Sequence, residues 1–125
     1  MTKNLLIEVV KKLNRVCLAS RIKIVFVGGV AVGVYGAPRT TYDVDSVALI
    51  DEKRLSAFLV SLSKAGFASA DRVPIQTIAG LPFITLMYSK YKIYVDMFIA
   101  QSDFYKKIIT RARVIKFAAA KIRII

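Results

Sequence analysis

Apolar residues recur near the start of the chain at Leu5, Leu6, Val9, Val10, Leu13, Val16 and Cys17, with Glu8, Lys12 and Arg15 between them. That is the period of one helix face, so an amphipathic helix is predicted from Thr2 to about Ala19. The pattern then changes. IKIVFVG, Ile22 to Gly28, is apolar, β-branched and closed by glycine, which reads as a buried strand. GVAVGVYG reads as a short helix after a sharp Gly28-Gly29 turn, because the APRTT that follows needs room to return to a sheet. DVDSVALI is a second strand, and DEKRLSAFLVSLSKAG is a helix with Asp51 as N-cap, an apolar face of Leu55, Phe58, Leu59 and Leu62, and Gly66 as its stop. Pro74 and Pro82 bracket a loop or irregular edge segment. FITLMYSKYKIYVDMFIA then reads as a hairpin turning at about Ser89 to Tyr91. A short helix from Ser102 or Asp103 to about Thr110 and two closing strands, RARVIKF and KIRII, complete the order. The expected class is α/β (α+β), a mixed sheet of about five strands flanked by helices.

Composition narrows the function classes. With 125 residues, 56% of them hydrophobic, the expectation is a single domain over residues 1–125 with a real core, and neither a linker nor a repeat interrupts it. The longest uncharged windows, Ile24 to Ala37 and Val73 to Ser89, fall short of the roughly 20 apolar residues of a membrane span. Glu8, Lys11, Lys12 and Arg15 break any signal-peptide core, so no membrane role is expected. Cys17 is the single cysteine, which excludes a disulfide framework and suits a reducing, cytoplasmic setting. The chain has no histidine, which excludes Ser-His-Asp and Cys-His catalysis and every His-ligated metal site. Its 20 Lys and Arg against 8 Asp and Glu, a formal charge of +12, suggest a polyanionic partner such as RNA, DNA or a nucleoside triphosphate, although a basic surface also serves solubility alone.

Against this basic background two of the few acids stand together. Asp43 and Asp45 are two residues apart on a predicted strand, so they share a face about 6.6 Å apart. Carboxylates held that close repel unless a cation lies between them or one is protonated, so a divalent metal site is the best explanation of the pair. Asp96 interrupts the apolar KIYVDMFIA and would join them if its strand lay beside DVDSVALI. Three oxygen donors without histidine suit Mg²⁺ or Mn²⁺, the ions of phosphoryl and nucleotidyl transfer. Gly28 and Gly29 would let backbone N–H groups face a triphosphate, and Arg39, Thr40 and Thr41 would reach phosphate oxygens or metal-bound water. Singly, each feature has a plainer reading. A lone Asp-x-Asp is usually a turn or cap, a Gly-Gly a tight turn, a strand aspartate a solvated one, and an Arg-Thr pair a loop in water.

Taken in order, FVGGVAVGVYGAPRTTYDVDSVALID resembles the signature of the nucleotidyltransferase superfamily that includes DNA polymerase beta, the tRNA CCA-adding enzymes and the minimal nucleotidyltransferases. The likeness runs from about Lys23 to Ala100 and is strongest to the small prokaryotic members with Arg-x-Thr-x-Asp-x-Asp, here Arg39, Thr41, Asp43 and Asp45. It implies that Asp43 and Asp45 hold two Mg²⁺ ions and the triphosphate, and that Asp96 holds the metal carrying the attacking hydroxyl. Gly28 and Gly29 would contact the β- and γ-phosphates, and the reaction would release pyrophosphate. Many members continue into a helical segment where this sequence ends at KIRII, which implies a minimal core or functions supplied by another chain. Members of this size also occur in toxin-antitoxin pairs.

After Asp103 the sequence holds seven basic residues and no acid. On strands, Arg111 with Arg113 and Lys121 with Arg123 would each share a face, leaving Val114, Ile122 and Ile124 to pack and making a positive surface for an RNA or tRNA acceptor. A solvated face, or a homo- or hetero-oligomer contact through the apolar tail, are the other readings. The expected function is a metal-dependent nucleotidyltransferase acting on a hydroxyl of RNA, protein or a small molecule. The alternative is a non-catalytic module of that fold binding RNA or a partner protein. Tyr35, Tyr42 and Tyr94 are open between base stacking and rim packing.

Overall fold

A computed structural model of the chain describes residues 2–27, 43–69, 76–78, 81–100, 102–117 and 120–125. Helix α1 spans Thr2–Ala19, strand β1 Lys23–Val27, β2 Asp43–Leu49, and helix α2 Glu52–Lys64. Strands β3 (Phe67–Ser69), β4 (Gln76–Ile78), β5 (Leu81–Tyr88) and β6 (Ile93–Ala100) follow, then helix α3 (Ser102–Ile109), β7 (Arg113–Phe117) and β8 (Ala120–Ile124). The helix expected between Gly28 and Ala37 lies outside the described residues, as do Arg39, Thr40 and Thr41.

The eight strands form one mixed sheet in the order β3-β5-β6-β2-β1-β8-β7, with β4 pairing β5. This exceeds the expected count of about five. The strands not read along the chain are β3 and β4, three residues each, which run along one edge of β5. Three-residue strands are too short to show an alternation in sequence, and only their partner defines them. The segment between Pro74 and Pro82, expected to be irregular, therefore contains a paired strand, with Thr77 opposite Pro82.

One face of the sheet is closed by α1 and α2. Leu6, Val9, Val10, Leu13 and Cys17 of α1 and Leu55, Phe58 and Leu62 of α2 pack on Ile24, Phe26, Val44, Ala48, Ile84, Leu86, Val95 and Met97. Each fully buried side chain of this kind contributes about 1.5–3 kcal/mol of transfer free energy. Burial also pushes the Cys17 thiol up to about 12, so it is an inert packing group. Chain reversals follow local chemistry. Arg21, in the left-handed region at φ 56°, ends α1 while Ile22 N–H donates to the Cys17 carbonyl at 2.8 Å. Asp51 takes the extended N-cap conformation of α2 but makes no side-chain cap hydrogen bond. Gly66 ends that helix at φ 99°, where an added Cβ would lie 3.1 Å from the Tyr88 ring. The β5–β6 hairpin turns through Lys92 at φ 54°, and Tyr91 of this turn donates its hydroxyl to Glu8 of α1.

Among the described residues, the opposite face is covered only in part. Tyr105 of α3 packs on Val25, Val47 and Ala100, with Ile108 and Ile109 beside it. No helix among the described residues is long and apolar enough to cross a membrane.

Candidate active site

The half-covered face carries the acids. In the parallel pairing of β2 with β6, Asp45 lies directly opposite Asp96, and Asp43 opposite Tyr94. Antiparallel pairing continues the first row on both sides, with Val27 of β1 beside Asp45 and Thr85 of β5 beside Asp96. Paired residues of adjacent strands share a face about 4.8 Å apart, so Val27, Asp45, Asp96 and Thr85 form one line across four strands. The neighbouring face positions toward the other end, Val25 and Val47, are roofed by α3. Val27, at the β1 end of the row, packs against the edge of the cluster under α3, and the acids lie next along the row.

Asp45 and Asp96 are both half-buried. Like charges directly opposite in a sheet repel, so such a pair calls for a compensating partner or cation. Two hydroxyls fix Asp96 in place. Thr85 Oγ1 donates to Asp96 Oδ1 at 2.8 Å, and Ser46, fully buried on the other face, donates its Oγ to the Asp96 carbonyl at 3.2 Å. A hydrogen bond to a charged acceptor is stronger than a neutral one and holds the carboxylate in one orientation. Neither Thr85 nor Ser46 stands out in sequence, because each acquires its role from a strand far along the chain.

The structure thus brings Asp45 and Asp96 together and sets the backbone of Asp43 one row away, at the position of β2 that shares their face. The Asp43 side chain, Gly28 and Gly29 lie outside the described residues. Among the described residues, no group of three His, Cys, Asp or Glu side chains is gathered. The donors that do meet are carboxylate and hydroxyl oxygens, a set that fits a hard divalent cation and not a thiophilic one.

The basic tail departs from its expected arrangement. Lys121 and Arg123 share a face of β8 as expected, but Arg111 precedes β7 in a turn and is not paired on a strand with Arg113. The ladder sets Arg113 opposite Ile124, on the core side, whereas Lys116 lies opposite Lys121 and Val114 opposite Arg123. Ile122 and Ile124 are buried, but Val114 is 61% exposed. The positive face of this ribbon is therefore Lys116, Lys121 and Arg123. It adjoins β1 through β8, on the side of the acid row away from β6.

No family model matches the chain, and no curated protein does. Among solved structures, the chain is similar to a cytoplasmic RNA terminal U-transferase, with 21% identity and a TM-score of 0.52. The likeness covers 74% of this chain and 28% of that one. The two share a mixed α+β fold over that length. The chain spans less than a third of the structure it matches.

Proposed function

We propose that this domain transfers a nucleoside monophosphate from a nucleoside triphosphate to a hydroxyl acceptor, with Asp43, Asp45 and Asp96 as the acidic groups of the reaction. One observation carries the reading: the register that pairs Asp45 with Asp96, on a face shared with the position of Asp43. Carboxylates paired across a ladder repel each other, and a shared cation is the role that suits them best. Mg²⁺ or Mn²⁺ held by these carboxylates would supply Lewis acidity for the hydroxyl and neutralise charge on the triphosphate.

The chain's own residues orient the reactants. The acceptor hydroxyl oxygen forms a bond to the α-phosphorus, the bond from that phosphorus to its bridging oxygen breaks, and pyrophosphate leaves with the electron pair. Asp96 is held by Thr85 and aligned by the β2–β6 ladder, and on this reading it would stand nearest the acceptor and take the hydroxyl proton first. Gly28 and Gly29, which follow β1 directly in sequence, are suited to the β- and γ-phosphates, with Arg39, Thr40 and Thr41 on the phosphate oxygens. Similarity to a structure described as an RNA terminal U-transferase, together with the net charge of +12, favours RNA as the acceptor class.

Calorimetric titration of a non-hydrolysable nucleoside triphosphate, with and without Mg²⁺, tests the reading. Wild type should bind in the micromolar range only with the metal, and a variant carrying both Asp43→Asn and Asp45→Asn should lose that binding while remaining folded. A folded wild type that ignores the triphosphate, yet binds RNA without metal after loss of the carboxylates, would identify a non-catalytic module instead.

A further inference from the structure

Strand β7 ends the sheet order, and β8 is its one partner among the described residues. Alternate residues of a strand direct their N–H and C=O groups to opposite sides, so the outer side of Arg113–Phe117 presents donors and acceptors that no described strand takes up. The other edge of the sheet differs. There β3 and β4 are three residues each, and strands that short give a partner little to pair with. β7 is longer, and Val114 stands within it at 61% exposure. The surroundings of this edge carry one sign of charge. Val114 and Lys116 share a face with Lys121 and Arg123, with Lys116 directly opposite Lys121, while Arg113 is exposed on the face toward the core. No acid follows Asp103 in the sequence, so the basic groups of the ribbon have none beside them along the chain.

Charge decides what fits the edge. Lysine on an edge strand guards against self-pairing, and joining two copies through β7 would set one basic ribbon against another. The same guard admits a strand of the opposite sign. A phosphate backbone would also neutralise the lysines, but its oxygens only accept hydrogen bonds and leave the outward β7 carbonyls and Val114 without a match. We infer that β7 is a docking edge for an extended acidic segment of a partner protein, which joins the sheet as a further strand. In such strand addition the main chain supplies the affinity and alternate side chains the selectivity. Opposite Arg113, Val114, Ile115 and Lys116 the segment carries an acid, two apolar residues and an acid, a pattern that reads the same in either strand direction. The inference stands on strand order and charge, independently of the nucleotidyltransferase reading.

The test is amide hydrogen exchange followed by NMR on the whole chain, alone and with a short threonine-rich peptide centred on Glu-Val-Val-Glu. Alone, alternate amides of Arg113–Phe117 should exchange freely, and peptide at about ten times its Kd should slow them about tenfold. Lys116→Glu should weaken that peptide about tenfold and accept a Lys-Val-Val-Lys counterpart that wild type rejects. Lys116 is exposed, so this variant should fold as wild type does. Outward β7 amides already protected in the free chain would overturn the inference, and so would a peptide that binds wild type and Lys116→Glu alike or slows amides elsewhere. An oligouridylate that slows these amides where the acidic peptide does not would overturn it too, and would assign the ribbon to nucleic acid.

Discussion

The two faces of one sheet follow different rules. On the face under α1 and α2, strand positions carry Ile24, Phe26, Val44, Ala48, Ile84, Leu86, Val95 and Met97, and Ser46, fully buried among them, is satisfied by a carbonyl of the next strand. On the other face, α3 covers Val25, Val47 and Ala100, and the row beyond it changes to Asp45, Asp96 and Thr85 with Tyr94 one step further. Both faces belong to the same strands, so β-propensity and backbone pairing cannot explain the difference. Covered positions are selected for burial, and the positions that no described helix covers are free of that demand, which lets them hold charged groups.

The largest effect separates the faces directly. Phe26→Ala, in the closed face, should cost about 3–5 kcal/mol of unfolding free energy in urea titrations, because its cavity is walled by α1 and β8. Asp96→Asn should leave stability in metal-free buffer equal to or above that of wild type, since it removes one of two opposed like charges and keeps an acceptor for Thr85. A strong destabilisation by Asp96→Asn would mean that the open face is also built for stability and would break the contrast.

Cys17 offers a pH test of the closed face. Its thiol is pushed up to about 12 in the folded state, above the ordinary value of 9.0, so the unfolded chain loses this proton first. The stabilisation it represents is fully present below about pH 9 and is lost as pH rises toward 12. Its share of the slope is about 1.4 kcal/mol per pH unit. Comparing urea midpoints of wild type and Cys17→Val between pH 8 and pH 11 isolates that share, and curves that run parallel would mean the thiol is not sequestered.

Thr85→Val sharpens the account of the open face. Losing the 2.8 Å hydrogen bond should lower the affinity for Mg²⁺-dependent triphosphate about tenfold, as removal of a partner that orients a metal ligand typically does. The smallest effect lies under α3. The Tyr105 hydroxyl is buried and has no hydrogen-bond partner among the described residues, and burial pushes its phenol above the ordinary value. Tyr105→Phe should therefore stabilise the domain by about 1 kcal/mol in the same urea titration. A loss of stability would show that the hydroxyl is satisfied, by water or otherwise.

Helices α1 and α2, strands β1 and β2 and the β5–β6 hairpin were legible in the chain because each carries a long enough period or a strong stop signal, such as Gly66 after the Leu55, Phe58 and Leu62 face. Strands β3 and β4 were not, for three residues hold no period and their identity comes from β5. The separation of Lys116, Lys121 and Arg123 from Arg113 was hidden for a related reason. Which residues share a face across a hairpin depends on where the turn falls, and a shift of one residue exchanges the faces.

The residues themselves determined the class of chemistry: no histidine, a single inert cysteine, a surplus of positive charge, and carboxylates spaced two apart on a strand with a third in an apolar run. These are properties of composition and short-range spacing, which survive without knowledge of any contact. The tertiary structure alone decided that β6 lies parallel to β2 with Asp96 opposite Asp45, that Thr85 and Ser46 hold Asp96, and that Tyr94 is left exposed beside it. Register between strands some fifty residues apart arises from the fit of all their side chains at once, and no local stretch of sequence contains it.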